Sequence, residues 1–446
     1  MGNHKLDWPT RVSRHVLTAL KPRKLLEDQN IWNLYGDIAW FGVLFGVVNT
    51  FLAVYTLRLG GTDTQVGLLS ALPALVAIFV SLPGARLVEK ERRPLSVLFI
   101  TAILHRAGYV AIALLPFFFF IEQAWGVVLL SGLLTIPQAI ANIAFTTMFA
   151  RVVKPEKRAQ VVAVRNVLIG ITSTATALVG GKFLDWIVFP LNYQILFTVA
   201  FATSMVSAYY LTRIRLPELT EPAPLRAPNE RMDVRGFFRM LHASPGYTRF
   251  TLVSFVAQWA LWFSIPLYSI YWVRTLHASD GWVGLFSMVA SGTTILFYPL
   301  WGRVTARRGN RIAMIVTMAG LAGFPFLLAF SPSVEWVLLV SFLGGVFSSG
   351  QALSFFNGLL EVCPEQNRAA RIAAYSTLAG LAAFAAPLLS TSLTDVFSIQ
   401  AMLIVGAALR LFSSFLIWQQ RVLVTPKPYY SPNDAFFGKM ESMKSE

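Results

Sequence analysis

The segment Thr62–Ser70 reads T-D-T-Q-V-G-L-L-S, and about half a chain length later Ser279–Ser287 reads S-D-G-W-V-G-L-F-S. Each copy is followed by an apolar stretch and then by a basic run that is predicted to form a turn, Gly84–Arg93 in the first half and Gly302–Arg311 in the second. The two pairs of segments have nearly the same offset and the same order. The chain is therefore predicted to contain two parallel copies of one unit, as in membrane proteins built from repeats.

A second pair of motifs supports the duplication. P-E-K-R-A-Q begins at Pro155, and P-E-Q-N-R-A-A begins at Pro364. Each motif follows a long apolar run, and the offset between the two is close to that of the first pair. Every recognisable element of the first half therefore has a counterpart in the second half, in the same order.

The composition places both copies in a membrane. Of the 446 residues, 55% are hydrophobic and 13% are charged, and the mean hydropathy is +0.59, whereas soluble domains have about 25% charged residues. Apolar runs of about 20 residues can cross a bilayer as helices. We predict an all-α membrane protein with twelve transmembrane helices in two pseudo-symmetric six-helix bundles. The predicted spans are 33–57, 65–88, 95–120, 125–149, 159–183, 191–213, 247–273, 282–301, 311–330, 335–360, 369–390 and 398–420.

The chain is predicted to divide into five parts. These are a cytoplasmic N-terminal segment with an interfacial helix (1–32), an N-terminal bundle (33–213), a cytoplasmic linker (214–246), a C-terminal bundle (247–421) and a cytoplasmic tail (422–446). The interfacial helix is predicted over Trp8–Leu20, where apolar residues share one face and basic residues the opposite one. Such a helix is expected to lie on the inner leaflet.

The basic residues give the orientation. The formal net charge is +15, yet with a cytoplasmic N-terminus only Arg58, Lys182 and Arg274 fall on the outer side. Arg106 and Arg410 lie within predicted spans, and the remaining Lys and Arg residues lie on the cytoplasmic side. This distribution follows the positive-inside rule. It predicts a multi-pass protein of the bacterial cytoplasmic (inner) membrane with both termini in the cytoplasm and no cleavable signal peptide.

The same distribution limits the partners. Basic loops next to spans attract anionic headgroups of the lipid bilayer. The sequence has no basic face apart from those loops that could bind nucleic acid, so no nucleic-acid partner is expected. Cys363 is the single cysteine, so no internal disulfide and no cysteine metal site is expected. Catalytic groupings and phosphate-binding glycine loops are absent from the sequence. We expect no enzyme activity, no cofactor, a small-molecule substrate and a monomer.

Polar residues inside the spans indicate a cavity. On the fourth span Thr135, Gln138, Asn142 and Thr146 are spaced by three or four residues, so they share one helical face. A polar group in hydrocarbon is costly and usually faces the bundle interior or a wet cavity. The cavity candidates from the first, fourth, seventh and tenth spans are Trp40, Gln138, Asn142, Gln258, Trp262 and Gln351. The alternative is that these side chains form hydrogen bonds that only hold the bundle together.

Four charged residues lie within the predicted spans or at their inner ends. Asp37 could bind a proton or a cation, or it could form a structural ion pair, and Glu361 occupies a similar place on the tenth span. Arg106 and Arg410 lie near the middle of the third and twelfth spans. We expect both arginines to be structural, with backbone carbonyls or buried amides as partners.

The residues before the second and eighth spans are predicted to start helices. Thr62 and Ser279 are suitable N-cap residues, and Asp63 and Asp280 lie where the helix dipole favours an acid. This interpretation gives the two acids a local, structural role.

The basic runs that begin at Gly84 and Gly302 resemble the G-x-x-x-D-R-x-G-R-R signature of the major facilitator superfamily. The resemblance implies two six-helix bundles whose first, fourth, seventh and tenth spans line a central cavity. In that family the acid at the fifth position helps to latch the cytoplasmic gate. Val88 and Ala306 stand at this position here, with Glu89 one residue later. The coupling or gating candidates are Asp37, Glu89, Arg92, Arg93, Arg165, Arg307, Arg311 and Glu361.

The resemblance also bears on mechanism. Proton-coupled drug exporters of the family have an Arg on the fourth span and a Gly-Pro pair on the fifth, and this chain has neither within those spans. The resemblance implies a secondary transporter that moves a small organic, neutral or amphipathic solute by alternating access, with export favoured and proton coupling left open. The alternative is a membrane assembly factor that has the same fold and carries no solute.

Overall fold

The computed structural model describes residues 26–90, 94–118, 122–216, 244–363, 368–421 and 423, which fold as helices. The predicted interfacial helix, most of the linker, the tail beyond residue 423, Arg92 and Arg93 lie outside the described residues. The helices are α1 (Leu26–Arg58), α2 (Asp63–Lys90), α3 (Pro94–Phe118), α4 (Gln123–Val152), α5 (Pro155–Trp186), α6 (Leu191–Thr212), α7 (Pro245–Ile270), α8 (Asp280–Ala329), α9 (Val334–Val362), α10 (Arg368–Ser392) and α11 (Ile399–Gln419). The predicted all-α class is confirmed.

Eleven of the described helices are long and apolar enough to cross a membrane. The difference from the twelve predicted spans comes from α8, which is 50 residues long and contains both the eighth and the ninth span. Gly309 interrupts it with φ 81° and ψ 162°, outside the helical region. Because a left-handed φ is favourable for glycine alone, this residue lets the chain reverse within a single peptide unit.

Both basic runs are therefore more helical than predicted, and the turns are shorter. Gly84 lies inside α2, which continues to Lys90, and Gly302 lies inside the first arm of α8. The expected loops over Gly84–Arg93 and Gly302–Arg311 are wrong in extent, because both helices continue past the first glycine of each run. Sequence alone could not show that the reversal in the second half is concentrated at Gly309.

In the motifs that begin at Pro155 and Pro364, one arginine of each caps the C-terminal end of the preceding helix. Arg158 donates to the carbonyl oxygens of Ala150 and Val153 at 2.6 and 3.0 Å, at the end of α4. Arg368 lies 3.4 Å from the carbonyl oxygen of Leu360, at the end of α9. A cation at a helix C-terminus satisfies unpaired carbonyls and opposes the helix dipole. These repeated arginines therefore have a structural role at the ends of α4 and α9.

The two bundles meet along α2 with α10 and along α5 with α8. We call the end of the molecule at Thr62 and Ser279 the outer end, following the orientation that the basic residues predict. A methyl group added to Gly181 of α5 would touch the backbone of Asp280 and Gly284 of α8. One added to Gly67 of α2 would touch Thr391 of α10. Glycine is needed here because the backbones approach more closely than a side chain would allow.

The hydrophobic core also joins the bundles at the outer end. In the N-terminal bundle Tyr55 of α1 stacks on Tyr193 of α6, with ring centroids 4.8 Å apart. The same core cluster includes Ile270 at the end of α7 and Val283 at the start of α8. The outer ends of the bundles thus share one apolar cluster, which stabilises their contact by removing apolar surface from the solvent.

We predict that Gly284→Ala lowers the thermal unfolding midpoint of the purified protein, because the new methyl group overlaps the carbonyl oxygen of Ala177. Overpacking of this kind costs about 1–3 kcal/mol. Gly292→Ala, on the same helix, is the control, since a methyl group there meets no atom within 4 Å. Equal midpoints for the two variants would contradict the close approach of α5 and α8.

Candidate functional site

The fourth helix exposes two different faces. Leu129 and Leu133 of α4 are 61% and 59% exposed, and Gln138 and Asn142 are exposed as well. Each leucine lies nine residues before one of the amides, which is about half a turn around the helix at about 100° per residue. The polar face is therefore opposite the apolar face suited to lipid. This geometry agrees with a wet space beside Gln138 and Asn142.

The side chains of the other cavity candidates are exposed or half-buried. Trp40 of α1 is exposed, and Gln258 and Trp262 of α7 and Gln351 of α9 are half-buried. Residues with aromatic and amide side chains are common in binding pockets for organic ligands. That all of them face one shared space remains a prediction.

Tyr375 of α10 was not identified from the sequence. It is half-buried and lies beside Gln258 and the fully buried Ser254, both of α7. Its hydroxyl group adds a donor to the polar set on α7. No motif marks it, because a tyrosine in an otherwise apolar span is also common as a packing residue.

Asp37 lies at the centre of a buried polar cluster formed by four helices. Ser207 of α6 donates to Asp37 Oδ1 at 2.6 Å. Arg106 of α3 lies 3.6 Å from the same oxygen, and Arg165 of α5 lies 3.4 Å from Oδ2. All three charged side chains are almost completely buried. Asp37, Arg106, Arg165 and Ser207 are called the Asp37 cluster below.

The cluster contains two guanidinium groups and one carboxylate. Arg165 also donates to the carbonyl oxygen of Leu34 at 2.6 Å and stacks over the ring of Phe145. Arg106 donates to Ser207 Oγ at 2.8 Å, while its Nε and Nη1 find no partner among the described residues. Two cations therefore share one anion, and loss of the carboxylate would leave both of them uncompensated.

Backbone carbonyls or buried amides were expected as the partners of Arg106, but its partners are the carboxylate of Asp37 and the hydroxyl group of Ser207. Arg410 of α11 is bonded without an acid. It donates to the carbonyl oxygen of Leu321 at 2.8 Å and to the hydroxyl group of Tyr268 at 2.6 Å. Helix carbonyls and a phenol therefore satisfy this buried guanidinium, as the sequence led us to expect for a structural arginine.

The remaining gating candidates lie near the inner end. Glu361 is exposed and accepts from Asn310 Nδ2 at 3.0 Å. Arg311 donates to the carbonyl oxygen of Trp418 at 2.6 Å, and Arg307 is exposed. Glu89 is within α2, but its side chain, like Arg92 and Arg93, lies outside the described residues. A gating role for these residues remains a prediction.

Two reciprocal ion pairs join the bundles at the outer end. Arg58, the last residue of α1, lies 3.3 Å from Asp280 at the start of α8. Arg274, just after α7, forms a 2.6 Å ion pair with Asp63 at the start of α2. Each bundle therefore contributes one arginine and one aspartate to the other. Arg58, Asp63, Arg274 and Asp280 are called the outer latch below.

Further hydrogen bonds reinforce the outer latch. Arg58 and Arg274 donate to the carbonyl oxygens of Ala278 and Gly61 at 2.8 and 2.6 Å. Asp185 of α5 accepts from Ser279 Oγ at 2.8 Å and from the backbone nitrogen of Gly281. All the inter-bundle hydrogen bonds and ion pairs that we identify for the described residues lie at this end.

The latch corrects the local interpretation of the repeated motif. Thr62 does cap α2, since its Oγ1 accepts from the backbone nitrogen of Gln65 at 3.3 Å. Ser279 occupies the N-cap position of α8, but its side chain makes no cap hydrogen bond. Asp63 and Asp280 act between the bundles as well as at the helix ends. The sequence signal was present, because Arg58 and Arg274 are two of the three Lys and Arg residues that are predicted to lie on the outer side.

The sequence matches a model of the Major Facilitator Superfamily over residues 38–247 and 250–438. Comparison with curated proteins gives no match.

Similar solved structures include a bacterial homologue of the human lysosomal transporter Spinster in an inward-facing, unoccupied conformation. It has a TM-score of 0.66 and 13% identity, over 92% of this chain and 100% of that one. A POT family transporter in complex with 5-aminolevulinic acid has a TM-score of 0.70 and 11% identity, over 88% and 96%. The nucleoside transporter NupG has a TM-score of 0.64 and 12% identity, over 90% and 100%.

At this level of identity the solved structures support the fold alone. The family model covers both bundles and agrees with the repeated motifs, the helix order and the paired bundle contacts. The chain belongs to the major facilitator superfamily.

Proposed function

We propose that this protein is a secondary transporter that moves a small organic solute across the bacterial cytoplasmic membrane by alternating access. The outer latch is the observation that carries the proposal. It closes the outer end with four charged side chains that water could solvate again if the bundles separated. Contacts that can be made and broken at low cost suit a gate between two conformations better than a permanent joint.

The cavity candidates support a neutral or amphipathic solute. They are amides and aromatic residues, and they include no acid or base. Amide groups can donate and accept hydrogen bonds, and tryptophan supplies flat apolar surface. The buried charges of the N-terminal bundle are engaged with one another in the Asp37 cluster, so they are less suited to bind a charged solute.

The substrate site can be tested with a thermal-shift screen of neutral and amphipathic organic solutes, because a ligand of the native state raises the unfolding midpoint. We expect Gln138→Ala and Asn142→Ala to reduce the shift that a hit produces. Leu133→Ala, on the opposite face of α4, is the control and should keep it. Hits that respond to none of these variants would place the binding site elsewhere. Absence of any hit, together with copurification of a partner complex, would favour the assembly-factor alternative.

We predict that Arg58→Asp opens the outer end, because it places two acids together where an ion pair was. The Asp280 side chain is only 8% exposed, so a second acid beside it costs more than the loss of an exposed ion pair, which is about 0.2–1 kcal/mol. A change of about 1 kcal/mol alters a population ratio about fivefold. Spin labels at Val188 and Val396, which are both exposed, would report the distance between the bundles. Arg58→Asp should populate longer distances.

The reciprocal double variant Arg58→Asp/Asp280→Arg is the control for this measurement. It restores an ion pair with the charges exchanged, so the distance distribution should return towards that of the original protein. If the single and double variants give the same distribution, the outer latch does not hold the bundles together.

The Asp37 cluster leads to a different expectation for Asp37 itself. Asp37→Asn would leave two buried arginines without a carboxylate, and breaking a buried ion pair costs about 3–5 kcal/mol. We predict a lower unfolding midpoint and an unchanged pH dependence of any remaining transport in proteoliposomes. Glu361→Gln, which alters an exposed acid, should change stability little. A stable Asp37→Asn protein that has lost pH-driven accumulation would instead identify Asp37 as the coupling acid.

A further inference from the structure

An apolar groove lies between two helices of the N-terminal bundle. Its volume is about 370 Å³, which is within the range of ligand pockets, about 300–1,000 Å³. Helices α5 and α6 form its walls, and Val43 and Val47 of α1 contribute to it. The other lining residues are Ala175, Thr176, Val179, Gly180, Phe183, Ile195, Leu196, Val199 and Ala200.

The groove offers no free hydrogen-bonding side chain. Thr176 is the one polar residue in its lining, and its hydroxyl group already donates to the carbonyl oxygen of Thr172 at 2.8 Å. A polar solute would lose its hydration here without gaining partners, which is costly. An alkyl chain forms no hydrogen bonds, so it loses none when it enters the groove. The lining therefore selects for hydrocarbon.

One stripe of α5 connects this groove with the membrane surface. Ala175, Val179, Lys182 and Trp186 follow each other at steps of three or four residues, so they share a helical face. All four are exposed, and Trp186 is 84% exposed. By the orientation that the basic residues predict, the stripe runs towards the outer surface. The two apolar residues, Ala175 and Val179, are thus followed on the same face by Lys182 and Trp186. Tryptophan is enriched at membrane–water interfaces.

Lys182 is available for a ligand. Among the described residues it forms no ion pair. The nearest acid along the helix, Asp185, is already bonded to Ser279 and Gly281. Lys182 is also the single lysine that the sequence places on the outer side. Lys182 lies one turn before Trp186, a residue type enriched at membrane surfaces, so the ammonium group is close to the level expected for lipid headgroups.

We propose that the groove between α5 and α6 binds one anionic glycerophospholipid of the outer leaflet. One acyl chain lies in the groove along Val179, and the phosphate group pairs with Lys182. The groove is separate from the amide face of α4, because none of its lining residues belongs to that helix. Lys182 lies three residues before Asp185, which accepts hydrogen bonds from Ser279 and Gly281 of the other bundle, so the lipid lies next to the outer latch.

Native mass spectrometry of the full chain in detergent, titrated with phosphatidylglycerol and with phosphatidylcholine, tests the proposal. We expect tighter binding of phosphatidylglycerol. Lys182→Gln should weaken its binding about fivefold, the effect of one basic residue near an anionic surface, and Lys182→Arg should retain it. Val179→Trp should reduce binding of both lipids roughly tenfold, because the indole occupies the space of the chain.

Ile171→Trp is the matched control for the groove. Ile171 is exposed on the same helix, outside the lining, so this variant adds the same side chain and leaves the groove open. It should bind both lipids as the original protein does. The proposal is overturned if Ile171→Trp and Val179→Trp reduce binding equally, or if Lys182→Gln leaves the preference for phosphatidylglycerol unchanged.

Discussion

A charged or polar group in the hydrocarbon core of a membrane has no water to bond with, so its hydrogen-bond and ion-pair partners must come from the protein. This constraint explains the Asp37 cluster, where four helices contribute to one set of contacts. It also explains Arg410, whose guanidinium group is satisfied by the carbonyl oxygen of Leu321 and by Tyr268. These contacts join the helices within each bundle.

Between the bundles the physical situation is different. The outer latch uses charges that lie at the ends of helices, where Arg58 and Arg274 are 32% and 47% exposed and their partners Asp280 and Asp63 are 8% and 14% exposed. When the bundles separate, water can replace the lost partners. The tight backbone approach at Gly181 and the shared apolar cluster around Tyr193 complete the contact. Through its two arginines, the outer latch is more accessible to water than the Asp37 cluster.

The duplication gives the latch its form. Asp63 and Asp280 come from the same place in the repeated motif, and Arg58 and Arg274 come from the ends of corresponding segments. Because the two halves face each other about a pseudo-twofold axis, an acid of one half meets a base of the other, twice. One repeated motif thereby supplies both ion pairs.

The sequence alone determined the helical class, the number of spans, the duplication and the family, because these depend on hydrophobic run length and on motif order along the chain. It also placed Gln138 and Asn142 on one face, since helical periodicity fixes that relation. It did not determine the partners of Asp37, the crossed pairing of the latch, the reversal at Gly309 or the groove beside Lys182. Each of these depends on residues from different helices, or on one backbone angle, and the packing of α1–α11 alone decides which side chains meet.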